Sequence, residues 1–230
     1  MPRKALVIAA VIVEFSIAAI AQETLPSELV LTTRNELERT YLPHGVQLQG
    51  VPLGVAFDSV LIAARRPGGV VFAYGCGEPI QAPVSIPSTY SLASAFDLLT
   101  AAYSTHNWAV RDGVIDLLPK QNVPVILDVP IERIVWDTNE AVSLGVQRLF
   151  DLSAIKRRFV ELGITGEVFV PGLQQAPRIG VPKPKGREWK SENVALLTAL
   201  NQIAASYGDV RWVYEERTCG TVKTYRVWAH

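Results

Sequence analysis

Cysteine is nearly absent. The chain of 230 residues has two, Cys76 and Cys219. They are far apart and form no C-x-x-C pair, which excludes thioredoxin-like redox work and cysteine-rich zinc sites. Histidine is scarce too, with only His44, His106 and His230. None has a metal-ligand partner at helical or hairpin spacing, so each reads as a surface or structural histidine. There is no G-x-S-x-G elbow and no phosphate loop. Glu215 and Glu216 are adjacent on an expected strand, where successive side chains face opposite ways, so they do not form an acid–base pair. No catalytic, cofactor or metal residue emerges. Charge excess is also missing, with 22 basic and 22 acidic residues. No general attraction to nucleic acid or to acidic surfaces follows, and no nucleic-acid partner is expected.

What is present begins at the N-terminus. Met1-Pro2-Arg3-Lys4 is basic, Ala5 to Ile20 is apolar apart from Glu14 and Ser16, and Ala19-Ile20-Ala21 fits a small-x-small exit. This order predicts a secretory signal peptide over 1–21 and a mature chain starting at Gln22. The competing reading is an uncleaved anchor helix, for which the run is at the short edge. Either way the expected place is the periplasm or the exterior, with no stable membrane span once the signal is cleaved. In an oxidising compartment Cys76 and Cys219 are expected to pair, the alternative being two separate buried thiols.

Residues 22–45 read as a mixed lead-in. A unit over 46–120 then has the order strand, helix, strand, strand, helix, hairpin. Leu53, Ala56, Phe57, Val60 and Leu61 recur at helical spacing after Pro52, and Leu92, Ala95, Phe96, Leu99 and Tyr103 do so after the capping residue Ser91. Residues 121–230 follow a similar order. Val125 to Val129 opens it, a helical region over 139–162 breaks near Asp151, Glu167 to Val170 reads as a strand, and Asn193 is expected to cap a further helix. Ala95-Phe96, Leu99, Tyr103 and Trp108 match Ala199-Leu200, Ile203, Tyr207 and Trp212 at one constant offset. This points to an internal repeat in which Phe96 and Leu200 are equivalent core positions.

The stretch Val51-Pro52-Leu53-Gly54-Val55-Ala56-Phe57, with Val84-Ser85, Ser91-Leu92-Ala93-Ser94-Ala95-Phe96 and Gly113-Val114-Ile115, resembles the STN module. That is the short N-terminal domain of secretins and of some TonB-dependent receptors. The resemblance covers about residues 46–119, with a weaker second copy over about 124–230. It implies a fold and a role in protein–protein contact, with an envelope protein or a secretion or receptor component as partner. No secretin channel region or receptor barrel follows.

One charged stretch stands apart. Arg178, Lys183, Lys185, Arg187 and Lys190 sit among prolines and glycines, which predicts an extended segment. It is either a solvated loop or a basic docking arm for anionic headgroups, wall polymer or an acidic partner. Together these readings predict an exported α+β protein of two small modules, each with helices packed on a short mixed sheet. Its expected role is non-catalytic binding or scaffolding in the cell envelope through protein contacts, with sheet edges as docking surfaces. The alternative is an envelope hydrolase with its site between the modules.

Overall fold

The computed structural model describes residues 33–77, 81–168 and 187–230. The expected signal peptide, residues 22–32 of the lead-in, and Arg178, Lys183 and Lys185 lie outside the described residues. A short helix α1 (Arg34–Arg39) is capped by the Thr33 side chain. Then come β1 (Val46–Pro52), α2 (Leu53–Ala64), β2 (Gly68–Tyr74), β3 (Gln81–Ile86), α3 (Leu92–Ala102), β4 (His106–Arg111) and β5 (Val114–Pro119). The second half runs β6 (Pro130–Asp137), α4 (Val142–Phe150), α5 (Ser153–Leu162), β7 (Ile164–Val168), β8 (Glu188–Ala195), α6 (Leu196–Tyr207), β9 (Arg211–Cys219) and β10 (Val222–Ala229).

The fold is α+β. Local sequence explains the helices. In α2 the five residues at helical spacing are the buried ones, and Arg65 ends it in a left-handed turn. In α3 the Ser91 hydroxyl accepts from the Ser94 N–H. The expected break near Asp151 separates α4 from α5.

The two halves share one connectivity. In the first, β1 pairs antiparallel with β3, β4 with β5, and β2 runs parallel to β5. In the second, β6 pairs antiparallel with β8, β9 with β10, and β7 runs parallel to β10. Side-chain bonds repeat as well. Trp108 Nε1 donates to Asp97 at 2.7 Å, and Trp212 Nε1 donates to Asn201 at 2.9 Å. The Tyr103 hydroxyl donates to the Val51 carbonyl near the end of β1, and Tyr207 donates to the Asp137 carbonyl at the end of β6. Phe96 and Leu200 are both fully buried.

The short mixed sheets of the two halves do not stay apart. Strand β2 runs parallel to β9 over Gly68–Tyr74 and Arg211–Arg217, giving one six-stranded sheet in the order β4-β5-β2-β9-β10-β7. Gly69 is required there, because a Cβ would lie 2.3 Å from the Trp212 ring. The first core lies between this sheet and α2 and α3, and takes in Val213 from the second half. The second core lies on the other face with α4, α5 and α6, and takes in Val71, Val114 and Leu118 from the first half.

Several local expectations are corrected. Asn193 does not cap a helix; it lies within β8 with φ 52°, and Ala195 is the N-cap of α6. Its short polar side chain tolerates that left-handed backbone inside a strand. Val125–Asp128 is a 3-10 turn, because Pro124 starts a tight bend that β6 then leaves. β7 starts earlier than expected, at Ile164.

Candidate functional site

A groove of about 760 Å³ opens where the two halves meet. One wall is the start of α2, from Pro52 to Asp58. The facing wall is made by Ser104–His106 and Pro119–Asn122. The floor is the end of β2 with Val213, Glu215 and Trp228 of β9 and β10. Phe72, Tyr74 and Trp228 are half-buried and give the floor its aromatic character. Gly54 lets the Phe72 ring pack against the backbone of α2, since a Cβ there would lie 2.3 Å from the ring.

The groove is held open by contacts across the halves. Asp58 on α2 pairs with Arg211 at 2.7 Å and meets His230 at 3.3 Å. The Tyr74 hydroxyl has its pKa raised, first by burial and then by the Glu215 charge and hydrogen bond. The Arg217 guanidinium lies 6.0 Å from the Tyr74 ring centre. No ion pair is found for Arg217 or Lys120 among the described residues.

His106 explains why the groove has an open strand edge. The ladder between β2 and β5 stops at Val70, opposite Leu117. Two residues on, β5 ends at Pro119, which has no N–H to offer. The carbonyl of Val71 is met instead by His106 Nε2 at 3.2 Å, while Thr105 contacts Nδ1 at 2.9 Å. A carbonyl partner assigns a proton to Nε2. Burial, the largest cause, lowers the His106 pKa, and the Val71 bond opposes it. His106 is thus structural, as the sequence suggests. Beyond it, Phe72–Tyr74 is paired with β9 on one side and lines the groove on the other.

The other sequence candidates fall elsewhere. Cys76 and Cys219 stand as free thiols, brought together at the exit of β2 and the β9–β10 turn. The Cys219 thiol has its pKa raised, first by its hydrogen bond with Cys76. Of the basic stretch, Lys190 is not in a loop; it lies in β8 and pairs with Glu192 at 2.7 Å. Arg187 precedes β8, lies 5.2 Å from the Trp189 ring centre, and its N–H donates to Thr138 at 3.0 Å. Glu215 faces the groove, while Glu216 accepts from the Tyr214 hydroxyl. His44 is exposed. No group of three potential metal ligands forms among the described residues, and no helix among them is long and apolar enough to cross a membrane.

Sequence reasoning missed Asp58, Phe72, Tyr74, His106 and Trp228 as groove residues. Trp228 carried a legible signal. In β10 it alternates against Val227 and Ala229, so a large aromatic must stand on the face opposite that core. The pairing of β2 with β9 that builds the groove has no local signature. No family model matches the chain, and no curated protein or solved structure matches it either.

Proposed function

We propose that this chain is an exported cell-envelope protein that works by binding another envelope protein, without catalysis, and that the groove between its halves is the contact site. The observation that carries this reading is the aromatic floor of Phe72, Tyr74 and Trp228 in an open cleft of about 760 Å³. A largely apolar concave surface with a few polar groups is the usual form of a binding site. The resemblance of residues 46–119 to the STN module supports protein contact as the purpose, and the N-terminal 21 residues support export. A hydrolase working by two carboxylates in this groove would need them free to act as acid and base. Its two carboxylates, Asp58 and Glu215, are each tied to a neighbour, Arg211 and Tyr74.

The test uses the full chain expressed in an exporting bacterium. A photo-crosslinking amino acid replaces Val55, which is exposed on the groove wall, or Val160, which is exposed and remote on α5. The expected result is a discrete adduct with one envelope protein from position 55 and none from 160, on a chain whose N-terminus is Gln22. Absence of any adduct at 55, or retention of the chain in the cytoplasm, would overturn the reading.

A further inference from the structure

The open edge of β2 gives the groove a second property, one that rests on the binding role proposed for this cleft. Strand groups that face one side recur at every second residue. The Val71 carbonyl faces the β4–β5 side, where His106 meets it. The Pro67 carbonyl faces the same side, accepting from the Ile115 N–H, while the Gly68 N–H faces β9 through Val210. The N–H and carbonyl of Ala73 therefore face the groove. Pro119 ends β5 where its next donor would stand, and Lys120–Asn122 turn away as the far wall. The space β5 would have filled alongside Phe72–Tyr74 is the groove itself.

We propose that the groove takes an extended peptide segment of the partner, which adds to β2 as a short strand where β5 stops, and that this segment carries an acidic residue. An exposed strand edge is a template for another strand, with main-chain bonds giving affinity and side-chain pockets giving selectivity. Alternate side chains of the segment meet the aromatic floor of Phe72, Tyr74 and Trp228. The acidic residue follows from charge complementarity. Asp58 is paired with Arg211 and Glu215 is hydrogen-bonded to Tyr74, whereas Lys120 on the wall, and Arg217 beside the Tyr74 ring, have no carboxylate partner among the described residues. The first turn of α2, whose N-cap Pro52 supplies no side-chain cap, adds positive potential to the same wall.

The experiment selects binders from a display library of random 12-residue peptides on the full chain recovered from an exporting cell. The best peptide is then resynthesised with single N-methyl groups along its backbone. Strand addition uses every second N–H, so N-methylation should weaken binding at least tenfold at alternate positions and little between them. Selected peptides should contain Asp or Glu, and Lys120→Glu should weaken them about tenfold with the fold intact by circular dichroism. A groove-dependent peptide with no alternation in the N-methyl scan, such as a helix, would overturn strand addition and leave the binding reading standing. Selection of basic rather than acidic peptides would overturn the charge assignment. Failure to select any peptide that Val55→Arg displaces, together with no adduct at position 55, would remove both.

Discussion

The two halves have the same connectivity but use the backs of their sheets differently. Trp108 is paired with Leu117, and its counterpart Trp212 is paired with Ala229. The neighbours Asp116 and Trp228 therefore occupy equivalent places, each facing away from its own half's helices. In the first half that back face is covered by α6, and Asp116 is fully buried, accepting from Asn201 at 2.8 Å. In the second half the start of α2 covers only part of that face, burying Val213, and Trp228 stays half-buried and lines the groove. One back is covered by α6 and joins the halves; the other is covered only in part and keeps Trp228 on the groove. A repeat can thus use the same surface twice in different ways, as an interface in one half and as the floor of a groove in the other.

The largest effect tests whether the halves are energetically one body. Phe96→Ala should cost about 3–5 kcal/mol and Leu200→Ala about 2–5 kcal/mol, since both side chains are fully buried. Because each core borrows residues across β2 and β9, either variant should lower the midpoint of a single urea transition seen by both tryptophan fluorescence and circular dichroism. Two separated transitions would mean that the shared sheet does not couple the halves.

Much of this was legible in the sequence, and the reason is local. Helices α2, α3 and α6 each carry an apolar stripe at helical spacing, and Ser91 announces its cap. The constant offset between Trp108 and Trp212 revealed the repeat. It also relates a pair that the apolar pattern alone does not mark, Asn201 in place of Asp97. The groove was not legible, because it depends on β2 meeting β9, a pairing between strands from opposite halves of the chain. Nor could the sequence say that Pro119 would free the edge of β2. A proline at the end of a strand looks the same whether its neighbour is covered or open.

The cysteines offer the next test, because they straddle the same junction. Oxidation of the contacting thiols would tie the exit of β2 to the β9–β10 turn. The loop closed is very long, so in the chain-entropy model the bond should add roughly 4–5 kcal/mol in oxidised against reduced chain by urea denaturation. Non-reducing peptide mapping of chain recovered from the envelope should find one Cys76–Cys219 linked pair. Two freely alkylatable thiols there would show that the junction is held by the strand ladder alone.

A smaller effect separates the covered back from the partly covered one by pH. Burial, the dominant cause, lifts the Asp116 pKa from 3.8 to about 7, against the opposing Asn201 hydrogen bond and the Arg111 charge, with Asp112 adding to the rise. The folded state then holds a proton that the unfolded state has lost between those two values. Stability should be full below about pH 4 and fall as pH rises toward 7, by at most about 1.4 kcal/mol per pH unit. Asp116→Asn should flatten that stretch of the stability profile. Trp228→Phe, the matching change on the partly covered back, should leave the profile's slope as it is. A slope that persists in Asp116→Asn would assign the titration to another group.

The smallest expected effect concerns the connections that differ most between the halves. β2 reaches β3 through residues 75–80, whereas β7 reaches β8 through residues 169–187, which carry most of the basic stretch. Of its five cations, Lys190 already belongs to β8 and is paired with Glu192, so it is not available as part of an arm. Replacing Lys183, Lys185 and Arg187 together by Gln removes three positive charges and one ring contact, that of Arg187 with Trp189. Charge removals in a Pro- and Gly-rich stretch are expected to cost no more than about 0.5 kcal/mol, and the Arg187 backbone N–H bond to Thr138 is one that Gln keeps. The triple variant should therefore melt with the wild type. If the stretch also steers an acidic partner toward the groove, its association rate with the envelope protein cross-linked at Val55 should fall, and the difference should shrink as salt rises. Equal association rates at low and high salt would reduce the stretch to a solvated loop and leave Lys120 and Arg217 as the charges that matter.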